Sequence, residues 1–97
     1  MIRHVSLLTF NDDATDAQVD GVAQALSGLP ARLPKLRSYT FGRDAGINAG
    51  QASFAVVADF DTVDDYLAYR DDPEHRRILA DVITPILAAR SAAQYEF

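Results

Sequence analysis

Cysteine and tryptophan are absent from this 97-residue chain, and histidine occurs only twice. Without thiols there is no disulfide framework, no thiolate nucleophile and no Cys-ligated zinc or iron–sulfur centre. Two imidazoles supply at most half a zinc site, with carboxylates completing it, and neither a metal nor a cofactor is expected. Positive charge is also scarce: 9 Lys+Arg face 14 Asp+Glu, a formal net charge of −5. Phosphate backbones require a basic footprint, so no nucleic-acid partner is expected. No run approaches the ~20 apolar residues that cross a bilayer, so no membrane is expected. Met1-Ile2-Arg3-His4 passes directly into an alternating pattern, unlike a signal peptide, and the expected compartment is the cytoplasm.

What the chain has in quantity is apolar side chains, 48% of its residues. A chain of this length is expected to form one domain, residues 1–97, burying only roughly 60–70% of its unfolded surface. That excess predicts either a very apolar core or a second surface buried against a partner.

Ile2 to Phe10 reads as a strand, with Ile2, His4, Ser6, Leu8 and Phe10 on one face and Arg3, Val5, Leu7 and Thr9 on the other. Thr15 and Gln18 form a capping-box signature, followed by Val19, Val22, Ala23 and Leu26 at helical spacing. Gly28 is expected as the stop after this helix, and Pro30 as confirmation that it has ended. Leu29 to Pro34 reads as a connector with one short turn, Leu36 to Gly42 as a strand and Asp44 to Gln51 as a polar loop. Ala52 to Phe60 is a third strand, with Phe54, Val56, Ala58 and Phe60 on one face. Thr62 with Asp65 opens a helix carrying Tyr66 and Tyr69, and Asp72-Pro73 restarts helical structure. Ile78, Leu79, Val82, Ile83, Ile86 and Leu87 extend an apolar stripe kinked at Pro85, and Ala92 to Phe97 closes as a strand. The order β-α-β-β-α-β predicts a ferredoxin-like α+β fold, a four-stranded antiparallel sheet with helices on one face. The other face, with Val5, Leu7 and Val57, would lie open, and homodimerisation is the simplest way to cover it.

Three segments carry a family resemblance: Ile2-Arg3-His4-Val5-Ser6-Leu7-Leu8-Thr9-Phe10, Phe54-Ala55-Val56-Val57-Ala58-Asp59-Phe60, and Tyr66-Leu67-Ala68-Tyr69-Arg70-Asp71-Asp72-Pro73-Glu74-His75. Together they resemble the stress-responsive A/B barrel (Dabb) family, whose members pair two sheets face to face as dimeric α+β barrels. The third segment is similar to the family's tyrosine helix and His-Pro-x-His motif, with Asp72 in place of the first histidine. The resemblance extends to plant cyclases of the olivetolic acid cyclase type, which perform an intramolecular aldol condensation without metal or organic cofactor. It implies catalytic roles for His75, Tyr69 and His4. His75 would be the base that removes a proton α to a carbonyl, Tyr69 would hold the carbonyl oxygen, and His4 would orient His75 or the substrate. The expected pocket is bounded by Ser6, Leu8, Val56, Ala58, Leu26 and Leu79, and its ligand is a small hydrophobic or β-carbonyl compound. Two other expectations stand beside this one: a non-catalytic dimer that binds a hydrophobic ligand or serves stress tolerance, and a cofactorless quinone-forming monooxygenase.

Each site residue also has a plain structural reading. His75 could simply bond the neighbouring backbone, and Tyr66 and Tyr69, one turn apart, could form a packing stripe. A helix N-terminus at Pro73 favours neutral His75, whereas Asp71, Asp72 and Glu74 favour its cation, which leaves the direction of its titration open. His4 and Ser6, if covered by helices, need polar partners. The acidic runs lack the spacing of a calcium loop and read as helix caps. Gly42 to Gly50 carries no phosphate-binding fingerprint.

Overall fold

A computed structural model describes residues 1–97. The elements are β1 (Ile2–Phe10), α1 (Asp16–Ser27), α2 (Leu29–Arg32), β2 (Leu36–Arg43), β3 (Phe54–Phe60), α3 (Val63–Asp71) and α4 (Pro73–Ile78). A π turn (Leu79–Ile83) and a 3₁₀ turn (Thr84–Ile86) then lead into β4 (Leu87–Glu96). The four strands form one sheet in the order β2-β3-β1-β4, with every neighbouring pair antiparallel. This is the ferredoxin-like α+β arrangement.

Local chemistry sets the boundaries. The Thr15 hydroxyl accepts from Gln18 N at 3.2 Å while the Gln18 side chain accepts from Thr15 N at 2.9 Å, a complete capping box for α1. Gly28 does not take the left-handed stop expected of it; at φ −82° and ψ −15° it is right-handed, and the chain runs on into α2. Pro30 lies in the first turn of that helix, where its missing N–H costs nothing, rather than marking an end. At the other end of the chain, the sheet begins earlier than the pattern predicts. Pro85 sits inside the 3₁₀ turn, and β4 starts at Leu87, not Ala92, because Leu87 already pairs with Phe10 across a bulge at Ala88 of β4.

The helices cover one face of the sheet. Leu8, Phe54, Val56 and Phe60 pack there against Val22, Leu26, Leu29 and Ile78, all buried. Phe10, Phe41 and Phe54 form an aromatic row with centroids 5.9 and 6.3 Å apart. The opposite face has no cover in the monomer: Val5 and Val57 are half-buried, and Leu7, Tyr95 and Phe97 are exposed. No helix is long and apolar enough to cross a membrane.

Candidate active site

Between β1, β4 and the segment from α3 to the 3₁₀ turn lies a cleft of about 570 Å³. This falls within the ~300–1,000 Å³ typical of small-molecule sites. His4, Tyr69 and His75 all line it, so β1, α3 and α4 bring the three predicted catalytic residues together. A smaller cavity of about 20 Å³, enough for about one water, continues inward and shares His4, Tyr69, His75, Leu79 and Arg90 with the cleft. Ser6, Leu8, Leu26 and Val56 close its inner end. Ala58 is fully buried and lines neither space.

Tyr69 and His75 are six residues apart, and an unbroken helix would not align them. Asp72 breaks it: its backbone sits at φ −58°, ψ 130°, the extended region imposed on a residue before proline. Its carboxylate then accepts from His75 N at 3.0 Å, capping α4, and is held by Arg32 Nε at 3.0 Å. That bond to Arg32 keeps the Asp72 carboxyl below its usual pKa. Asp72 thus has a structural use, as the cap of α4. With the helix restarted, the His75 ring stacks on Tyr69 at 4.1 Å between centroids.

Each histidine has one ring nitrogen engaged. His75 Nδ1 lies 3.3 Å from the Arg70 carbonyl, which can only accept, so Nδ1 carries the proton and Nε2 keeps its lone pair. His4 Nδ1 lies 2.8 Å from the Gln94 amide nitrogen, which donates, so His4 carries its proton on Nε2. Neither Nε2 has a protein partner, and no buried side-chain nitrogen or oxygen lacks one, so both Nε2 atoms are open to the cleft. The cleft therefore presents an imidazole base and an imidazole donor.

Burial holds both rings neutral. His4 is pushed down to about 4, by desolvation first and then by the Arg90 and His75 charges. His75 is also lowered by desolvation; its bond to the Arg70 carbonyl and the Asp72 charge oppose this, and Arg90 adds to it. For His75 burial thus outweighs the acidic neighbours and shifts the balance toward the neutral form. The Tyr69 hydroxyl, expected to hold a carbonyl, lies 3.1 Å from that of Tyr39, and burial raises its pKa above the usual phenol value.

Sequence reasoning missed Tyr39, Arg90 and Gln94. The last two lie on the helix-facing side of β4, where Arg90 pairs with Leu8 and Gln94 with His4. The alternation Arg90, Ala92, Gln94 was the available signal, obscured by starting the strand at Ala92.

Residues 2–97 match the model of the Stress responsive A/B Barrel Domain family, Dabb. A dimeric ferredoxin-like protein of unknown function from Thermobifida fusca is 50% identical with a TM-score of 0.91, the match covering 99% of this chain and 90% of that one. A dimeric protein of ferredoxin-like fold from Bacteroides fragilis is 25% identical with a TM-score of 0.84, covering 99% and 95%. A hydroxynitrile lyase from Passiflora edulis, 19% identical with a TM-score of 0.82 and coverage of 97% and 90%, is similar in fold. No curated protein matches the chain. The family match spans nearly the whole chain, and the arrangement of strands and helices is the same: the protein belongs to the stress-responsive A/B barrel family.

Proposed function

We propose that the cleft binds a small carbonyl compound and moves a proton α to its carbonyl, without a cofactor, as a polyketide-type cyclase or lyase does. The observation that carries this reading is the opposite bonding of the two Nδ1 atoms, an acceptor beside His75 and a donor beside His4, which gives the two Nε2 atoms opposite roles in one cleft. His75 Nε2 takes the α-proton, the C–H electron pair moves toward the carbonyl, and the developing oxyanion receives a hydrogen bond from His4 Nε2–H. The enolate carbon then attacks a second carbonyl of the same chain or is reprotonated. Tyr69, whose hydroxyl is engaged by Tyr39, supports the His75 ring by stacking.

The test is to follow ring formation, and α-deuterium uptake in heavy water, with poly-β-ketone thioesters. His75→Ala is expected to lose ~10²-fold or more, the usual contribution of a positioned base. Tyr69→Phe keeps the stacked ring and should fall far less; an equal loss would return the carbonyl-holding role to its hydroxyl. Unchanged rates in His75→Ala would sink the assignment. Binding that stabilises the protein without deuterium uptake would favour the non-catalytic, hydrophobic-ligand reading.

The uncovered sheet face supports a homodimer. Val5, Leu7, Val57 and Ala93 form an apolar patch, and the relatives from Thermobifida fusca and Bacteroides fragilis are described as dimeric. Light scattering should give the mass of two chains, and a monomer mass for Leu7→Asp.

A further inference from the structure

The strongest unexplained feature of the cleft is its charge. Seven of the eight arginines have a carboxylate oxygen within 4 Å: Arg3, Arg32, Arg37, Arg43, Arg70, Arg76 and Arg77. Arg90 has none, although acidic residues outnumber basic ones 14 to 9. Its one side-chain hydrogen bond is to the hydroxyl of buried Ser6, at 3.5 Å from Nε. Such a guanidinium keeps its fork of donors free for a planar anion.

Its surroundings point the same way. Arg70, Arg76 and Arg90 line the cleft, and no Asp or Glu does. Arg70 is bonded to Asp71 at 2.9 Å, and Arg76 reaches the same carboxylate at 3.8 Å, which leaves Arg90 as the uncommitted charge. Arg90 also lines the inner cavity together with His4 and His75. Its charge contributes to the lowered pKa of both imidazoles, which places it within electrostatic range of each. A cationic cleft in a chain of net charge −5 concentrates its field where a ligand would sit.

We infer that the cleft is selective for carbonyl compounds that bear a carboxylate, and that Arg90 is the residue that receives it. This names a substrate class for the site proposed above and rests on that reading: an oxo acid, its carboxylate on Arg90 and its ketone between His4 and His75. Arg90 is a specificity-determining residue in this scheme, not the base.

Levulinate and methyl levulinate serve as probes, since they share a ketone and differ in the carboxylate. Binding is read from the imidazole NMR shifts and catalysis from α-deuterium uptake in heavy water. At low salt the acid is expected to bind ~10-fold or more tighter than the ester, with the gap narrowing as salt rises. In Arg90→Gln the ratio should collapse toward one, and Arg90→Lys should restore part of it. Arg37→Gln, which removes an equal charge at the distant Asp61 pair, should leave the ratio intact. Equal affinity for acid and ester, no binding of levulinate, or a ratio that survives Arg90→Gln overturns the inference. Arg90-dependent preference without deuterium uptake would uphold it while removing the proton-transfer reading. Uptake from both probes without preference would do the reverse.

Discussion

Arg3 and His4 are neighbours on β1, yet they point to opposite faces of one sheet and live under opposite rules. On the uncovered face, Arg3 donates to both oxygens of Asp59 at 2.7 and 2.8 Å, reaches the Tyr95 hydroxyl at 3.4 Å and lies 4.4 Å from the centre of the Phe97 ring. All three guanidinium nitrogens of Arg3 thus find an acceptor within the chain. On the covered face, His4 has its Nδ1 bonded to Gln94 and its Nε2 left open, and His75 and Arg90 share that incompleteness. A protein interior normally satisfies its polar groups, because leaving them unpaired costs ~1–3 kcal/mol each. Polar groups that are gathered and left unpaired around a cavity are those free to engage a ligand. The difference separates a structural ion pair from a site, although both use the same kinds of residue.

Acidification should expose this difference most strongly. His4 has a folded pKa of about 4 against about 6.5 unfolded, so between these values the unfolded chain binds more protons. The stability tied to neutral His4 is fully present above pH ~6.5, falls as pH drops through that window and levels off below ~4. The loss from His4 is roughly 3 kcal/mol, and lowered His75 adds in the same direction. Denaturant titrations across this range check it, and His4→Gln should flatten the slope. A slope undiminished in His4→Gln would mean that His4 is not held neutral in the folded chain.

The Arg3–Asp59 pair is the next point to break. The Asp59 side chain is 8% exposed and that of Arg3 35%, so Arg3 can turn to water when its partner is removed. Asp59→Ala should therefore lower Tm by only about 8 °C while leaving cleft chemistry unchanged. Calorimetry beside the deuterium-uptake assay checks both parts. A matching fall in uptake would show that the two faces are coupled through β1 and erase the contrast between them.

The contrast also explains what could be read from residues alone. Alternation on β1 and β3 and the Thr15–Gln18 box made the fold visible, because these are local consequences of period and capping. The start of β4 was not visible. Leu87-Ala88-Ala89-Arg90-Ser91 has weak strand propensity, and its strand state comes from backbone pairing with β1, roughly 80 residues away in sequence. Arg90 was hidden for the same reason, and for Gln94, inside the expected strand, it is register and not composition that sets it beside His4. Similarly, the phenol of Tyr69 is a plausible donor in any sequence, and only packing shows that it faces Tyr39.

Asp72 offers the finest test, because its own bonds are satisfied and it positions a group whose bonds are not. It caps α4 through His75 N and is held by Arg32. Losing an N-cap costs about 1 kcal/mol. Asp72→Ala should therefore destabilise the chain by that amount in denaturant unfolding. It should also raise catalytic loss above what stability predicts, since the start of α4 sets the angle at which His75 meets Tyr69. Removing the carboxylate also removes a charge that favours imidazolium, so the His75 pKa should fall further, and the acid limb of the uptake profile should shift to lower pH. Asp72→Asn, which keeps the cap but not the charge, separates the two effects. It should shift the acid limb and spare the stability, whereas an unmoved limb in both variants would leave Asp72 with capping alone.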